Sequence, residues 1–203
     1  MRKGLSAILV AICMAGAAIT ASAEQVDNPV YASWAACKIG TTVTHKQTMQ
    51  ILMGGTNAPL TIDTVITQTL KEVKAEAITV EVTTTASNQG RAASSFSQPA
   101  TKTSIPAKID KDKVDVPADI PASQVKDVKM GKETLEVAGK KYEATTVEFT
   151  QAGSGGLGPN NTELKLWSTA DVPGRLIKME VHGKAPDPSG FKITKALVEV
   201  KGN

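Results

Sequence analysis

The sequence has few cysteines, few aromatic residues and little net charge. Its 203 residues include two cysteines, Cys13 and Cys37, and aromatic side chains make up 3% of the chain. The formal net charge is +3, and two of the positive charges lie at Arg2 and Lys3. A chain with mixed charges and no basic patch lacks the electrostatic footprint of a nucleic-acid-binding protein. We therefore exclude nucleic acid as a partner.

The first 23 residues have the organisation of a secretory signal peptide. Arg2 and Lys3 precede an apolar segment, and Ala21 and Ala23 fit a small-x-small cleavage motif. The second half of the apolar segment consists of Ala, Gly, Thr and Ser, which are too weakly hydrophobic for a stable membrane span. We expect a signal peptide over 1–23, export to the periplasm or the extracellular space, and no transmembrane segment after cleavage.

Cys37 is the only cysteine of the predicted mature chain, so that chain cannot form an internal disulfide. It follows Trp34 near the end of a predicted helix, where a small buried hydrophobic side chain is commoner than a reactive thiol. We expect Cys37 to be buried and slow to react. The stability of the fold must then come from packing.

Residues 24–203 are expected to form a single β-rich domain with one short helix. Asn28 before Pro29 is typical of a helix start, and the apolar residues that follow predict a helix over Val30–Lys38, stopped by Gly40. Segments rich in Thr, Val and Ile predict strands at about 41–50, 60–73, 77–86, 93–107, 133–138, 141–151, 162–169, 175–182 and 191–201.

Alternation and turn chemistry predict how these strands are arranged. Residues 78–83 alternate strictly between apolar and polar side chains, which indicates a sheet with one face on a core. Pro173-Gly174 fits a type II turn, and residues 138–140 and 74–76 fit two further hairpins. Residues 87–123 are rich in Pro and Ser and predict at most an edge strand followed by a surface excursion. We expect an all-β fold, a curved antiparallel sheet or open barrel of about seven to nine strands.

No segment of the sequence predicts a catalytic, cofactor or metal site. Gly153–Gly158 matches G-x-G-x-x-G, but a strand follows it where a dinucleotide site needs a helix, so we interpret it as a hairpin loop. Residues 110–115 carry three aspartates among lysines and lack the Gly and Glu of a calcium loop. His45 and His182 lie on separate predicted strands without a second ligand at metal spacing.

Two tryptophans are the candidates for ligand binding. Trp167 alternates with Leu164 and Leu166 in its strand and is expected to point to the opposite face of the sheet. Trp34 lies in the predicted helix that would cover the sheet. Packing in a core and a place in an apolar groove are both open interpretations. The candidate ligand-binding residues are Trp34, Val82, Trp167 and Met179.

Two sets of residues resemble known secreted proteins. Asn28, Pro29, Tyr31, Trp34, Lys38, Gly40 and Val43, together with the stretches 136–142, 166–168, 172–174 and 178–180, resemble uncharacterised secreted proteins of planctomycete-type bacteria. The hairpin over 166–180 is distantly similar to one in the LolA/LolB-like lipoprotein carriers. That resemblance implies a curved antiparallel sheet around an apolar cavity, and it brings no catalytic residue.

We expect an exported, non-enzymatic protein that acts by binding another exported or envelope protein, or as an envelope component. The alternative is a periplasmic carrier of an apolar or amphiphilic ligand, and the third hypothesis is a hydrolase built around His45 or His182. Because so few bulky side chains are available, we expect Val, Ile, Leu and Thr to fill the interior, with Val30, Tyr31 and Trp34 packed into it and no lipid bound.

Overall fold

The structure, a computed structural model, describes residues 24–52, 59–89, 94–111, 125–155, 158–184 and 190–202. The predicted signal peptide and most of the Asp110–Asp115 stretch lie outside these residues. The described elements are β1 (Gln25–Asp27), α1 (Pro29–Ala35), β2 (Thr42–Leu52), β3 (Leu60–Val73), β4 (Ala77–Gln89), β5 (Ser94–Pro106), β6 (Lys108–Asp110), β7 (Val125–Val137), β8 (Lys140–Gly155), β9 (Gly158–Ser168), β10 (Leu176–Lys184) and β11 (Gly190–Lys201).

Nine of the strands form one antiparallel sheet in the order β5-β4-β3-β2-β11-β10-β9-β8-β7. Two meanders, β2–β5 and β7–β11, are joined because the last strand, β11, pairs with β2. β7 also contacts β11, although three strands separate them in the sheet, so this half of the sheet curves strongly. The sheet is open, with β5 and β7 at its edges. The predicted all-β fold is confirmed.

Helix α1 begins where the sequence predicts and ends earlier. The Asn28 side chain accepts hydrogen bonds from the backbone N–H groups of Val30 and Tyr31, and it donates one to the Pro106 carbonyl at 2.8 Å. The helix stops at Ala35 and not at Lys38, because the N–H of Cys37 bonds the Trp34 carbonyl three residues back and tightens the last turn.

The three predicted hairpins are present. Arg175 N–H donates to the Val172 carbonyl at 2.8 Å with Gly174 at φ +78°, as a type II turn requires. Ala138 and Gly139 both have positive φ, the geometry of a tight type I′ hairpin. The loop predicted over Gly153–Gly158 is largely strand: Gly153–Gly155 belong to β8 and Gly158 to β9, with Gly155 paired to Gly158, and residues 156–157 lie outside the described residues.

The sequence does not predict strands β1 and β6 or the first half of β7. The short strands β1 and β6 pair with each other outside the main sheet. β7 begins at Val125, several residues before the predicted position near 133, and its first half is almost fully exposed. A strand exposed on both faces carries no apolar alternation, so the sequence gives no signal for it.

Buried side chains form two clusters. The main cluster lies where α1 covers the sheet and consists of Trp34, Val43, Leu70, Ile78, Val80, Tyr142, Ala144, Trp167, Val172, Ile177 and Leu197. The second cluster consists of buried Val147, Phe149, Leu164 and Val181 with half-buried Val125, Leu166, Met179, Phe191 and Ile193. The second cluster contains no residue of α1.

Both edge strands carry features that interrupt regular strand pairing. β5 contains Pro99 and ends at Pro106. β7 carries a register shift between Lys126 and Lys129, where Asp127 has φ 55°. Among the described residues, no helix has the length and hydropathy needed to cross a bilayer.

Candidate functional site

Trp34 and Val82 belong to the packed end of the sheet. Trp34 is fully buried, and Val30 and Tyr31 of the same helix pack against the main cluster, as the sequence predicts. A Cβ atom at Gly174 would lie 3.1 Å from the indole Nε1 of Trp34, so the turn after β9 closes tightly over the ring. Val82 is half-buried at the border of this cluster. The protein's own side chains fill this end.

Trp167 lies on the other face of the sheet from Leu164 and Leu166, as the sequence predicts, and is enclosed by charged side chains. The ammonium groups of Lys165 and Lys178 lie 4.9 and 4.8 Å from the ring centroid. Its Nε1 donates to Glu133 at 2.8 Å, and Lys165 bridges Glu133 and Glu148. The hydrogen bond from Lys165, followed by that from Trp167, lowers the pKa of Glu133. These charges are satisfied by one another.

Met179 belongs to the second cluster, whereas both tryptophans belong to the main cluster. Its cross-strand partner on β9 is Leu166, which in turn pairs with Val147 of β8. Leu164 likewise stands between Phe149 and Val181. Side chains directly opposite one another on paired strands share a face. The second cluster is therefore one apolar face running across β8, β9 and β10, and it continues onto β11 where Ile193 pairs with Val181.

Phe191 closes one end of this face. It stands opposite Gly183, and a Cβ atom at Gly183 would lie 2.1 Å from the Phe191 ring. The ring thus occupies the space that a side chain at Gly183 would need, which explains a glycine inside a strand.

Lys195 interrupts the apolar side chains of β11. It lies two residues from Ile193 and two from Leu197, which places it on their face of the strand. Its cross-strand partners are Met179 and Gln47, neither of them charged. Burial lowers the pKa of Lys195, and the described residues provide no carboxylate partner for it.

His45, on β2, lies beside Lys195 of β11 and is 2% exposed. Its Nε2 is 2.9 Å from the Leu176 carbonyl oxygen, so the neutral ring carries its proton there, while the buried Nδ1 has no partner within the described residues. Burial lowers the pKa of His45 to about 4, and the positive charge of Lys195 also lowers it. Lys195 and His45 form a polar site between the two clusters.

His182 lines a separate polar groove of about 370 Å³. Charged side chains of both signs line the groove together with Phe149 and Leu164 of the second cluster. His182 lies 3.9 Å from Glu180, which is also bound by Lys178. His45 is on β2 and His182 on β10, with β11 between them. No cluster of three or more metal-ligating side chains occurs in the part of the chain that the structure describes.

Cys37 is half-buried against the main cluster and not fully buried as the sequence predicts, because it lies beyond the end of α1 at Ala35. Its thiol donates to the Ser33 carbonyl at 3.4 Å. Burial raises the pKa of this thiol, so less thiolate is present at neutral pH. We expect iodoacetamide to label Cys37 at pH 7.5 about tenfold more slowly than it labels the urea-unfolded chain. Equal rates, followed by intact mass, would contradict this prediction.

The structure buries His45 and partly buries Lys195, which the sequence does not predict. The sequence does not indicate Lys195 as a site residue, because a lysine in a strand usually lies on the solvent face. Its place in the alternation Ile193-x-Lys195-x-Leu197 is the signal that identifies it. From the sequence, His45 is a candidate only for catalysis or metal binding, because its burial depends on strands distant in sequence.

No family model matches the chain, and no curated protein matches it significantly. A DUF1329 family protein from Desulfovibrio piger matches over 87% of this chain and 94% of its own, with 12% identity and a TM-score of 0.26. A domain described as an outer membrane lipoprotein-sorting protein, from Vibrio parahaemolyticus, matches over 81% of this chain and 86% of its own, with 8% identity and a TM-score of 0.23. The second match is of the type that the sequence resemblance indicates, but at such TM-scores we draw no conclusion on fold or function from either.

Proposed function

We propose that the protein is exported and non-enzymatic, and that it binds an apolar or amphiphilic molecule against the second cluster. The observation that carries this proposal is an apolar face across β7–β11 with five half-buried members and no residue of α1. Extended apolar surfaces of this kind are typical of ligand-binding or interaction sites.

The two ends of the sheet differ in a way that favours the second cluster. At the main cluster, helix α1 covers the sheet and Trp34 and Ile177 are fully buried, so the half-buried apolar residues there surround a filled core. At the second cluster, Leu166, Met179 and Phe191 keep part of their surface accessible. We therefore prefer the carrier hypothesis to the packed scaffold without lipid that the scarcity of aromatic residues suggested. Of the four candidate ligand-binding residues, Met179 lies on this face.

The surroundings of the histidines support a non-enzymatic function. The Nε2 of His45 is engaged with a backbone carbonyl, and burial keeps the ring neutral. His182 neighbours Glu180, whose pKa is lowered mainly by its hydrogen bond with Lys178. Within the residues that the structure describes, neither histidine has a hydroxyl or thiol nucleophile among its hydrogen-bond partners, which a Ser-His or Cys-His pair requires.

Titration with N-phenyl-1-naphthylamine, an uncharged probe that fluoresces in apolar surroundings, tests the proposal. We expect saturable binding of one probe per chain, weakened at least tenfold by Leu166→Glu, because a buried carboxylate would face an apolar ligand. Phe191→Ala, which removes an end of the same face, is expected to weaken binding less.

The matched control is Val198→Glu, since Val198 is 49% exposed on β11 and belongs to neither cluster. This variant should bind the probe as the parent does. Absence of saturable binding to the parent protein would contradict the proposal, as would equal losses in Leu166→Glu and Val198→Glu with both variants folded by circular dichroism.

A further inference from the structure

We propose that the ligand of the second cluster is a single-chain amphiphile with a carboxylate headgroup, and that Lys195 binds this headgroup. This inference rests on the proposed function, because it assigns the polar end of a molecule whose apolar chain lies on Leu166, Met179 and Phe191. The juxtaposition that carries it is an ammonium group at the border of an apolar face, with no ion-pair partner in the described part of the chain.

The position of Lys195 fits a headgroup site. Its strand neighbours on the same face are Ile193, which belongs to the second cluster, and Leu197, which belongs to the main cluster. The apolar face therefore extends from Lys195 in one direction, while the packed end of the sheet blocks the other. A ligand with its charge at Lys195 has a single direction in which its chain can lie on apolar side chains.

Within the described residues Lys195 has no ion-pair partner, whereas the lysines on the opposite face of the sheet form ion pairs. Lys165 there contacts Glu133 and Glu148, and Lys178 contacts Glu180. Lys195 makes no ion pair or hydrogen bond within the described residues, although it is partly withdrawn from water. Withdrawing a cation from water without a counter-ion is unfavourable, so an anion arriving there gains more than it would at an exposed lysine.

The surrounding polar atoms add to this assignment. His45 is buried beside Lys195 with its Nδ1 unpartnered, and Gln47 stands directly opposite Lys195 on β2. Gln47 supplies an amide N–H₂ group that can donate to a carboxylate, whereas no acidic side chain stands opposite Lys195 on either neighbouring strand. One ammonium and one amide match a singly charged headgroup.

The test compares two ligands that differ only in headgroup. Dodecanoate and dodecanol, both below their aggregation limits, displace N-phenyl-1-naphthylamine from the purified full-length mature chain. We expect dodecanoate to bind about tenfold more tightly than dodecanol, as for a hydrogen bond to a charged group. Lys195→Gln should abolish this preference by weakening dodecanoate binding about tenfold, and Lys195→Arg should retain it.

Lys192→Gln is the matched control, because Lys192 is an exposed lysine on the same strand. It should keep the preference for dodecanoate. Equal affinities of the parent protein for the two ligands would overturn the carboxylate assignment while leaving the proposed apolar binding intact. A preference that survives Lys195→Gln would overturn the role of Lys195, and failure of both ligands to bind would overturn the proposed function itself.

Discussion

Trp34→Ala is expected to lower the free energy of unfolding by about 3–5 kcal/mol, the range for removing a large buried aromatic side chain. Trp34 is fully buried and is the one residue of α1 in the core of the main cluster. The Gly174 turn packs directly against its indole ring, so the cavity left by the substitution borders backbone that cannot easily move inward. Collapse around the cavity would therefore be incomplete.

Urea unfolding at neutral pH, followed by far-ultraviolet circular dichroism, measures this effect. Trp34→Phe retains most of the apolar volume and should lose less stability than Trp34→Ala. Val198→Ala is the matched surface control and should change the free energy of unfolding by less than about 0.5 kcal/mol. A loss below about 1 kcal/mol in Trp34→Ala would mean that α1 does not stabilise the sheet.

The second large effect is a fall in the free energy of unfolding at acidic pH. The pKa of His45 is lowered from 6.5 to about 4 in the folded protein, mainly by burial. Because the unfolded chain binds a proton at higher pH than the folded chain, the contribution of neutral His45 is complete above pH 6.5 and is lost as the pH falls towards 4. The shift corresponds to about 3 kcal/mol.

Urea unfolding at several pH values between 7 and 4 tests this dependence. His45→Gln keeps a side-chain donor for the Leu176 carbonyl but does not titrate, so its free energy of unfolding should fall less steeply over this range. Val198→Ala is the control, because Val198 is 49% exposed and does not titrate, so this variant should keep the parent's slope. Identical slopes in the parent and His45→Gln would contradict the prediction.

Much of the fold could be predicted from local chemistry. The type II turn at Pro173-Gly174 and the cap at Asn28 each depend on one or two residues whose conformational preferences are strong. The inner strands β2, β3 and β4 are rich in β-branched side chains with one apolar face. By contrast, β1 and β6 are three residues each, too short for a periodic pattern.

The candidate site was harder to predict because it depends on the register in which neighbouring strands pair. Met179, Leu166 and Lys195 come together only because β10 stands between β9 and β11 with a defined pairing. The sequence predicts that each of these strands exists, but a shift of one residue would turn Lys195 to the other face. Trp34 and Trp167 stood out as rare aromatic residues, and the structure places both among buried side chains.

The edges of the open sheet bear on how copies of this chain meet one another. An unpaired strand offers a row of N–H and C=O groups on which a second chain can add a strand and begin a fibril. On β5, Pro99 has no N–H to donate, and on β7 the register shift at Lys126–Lys129 twists the backbone where lysines also repel an incoming copy. These features disfavour edge-to-edge polymerisation, so an open sheet does not by itself lead copies of this chain to assemble into fibrils.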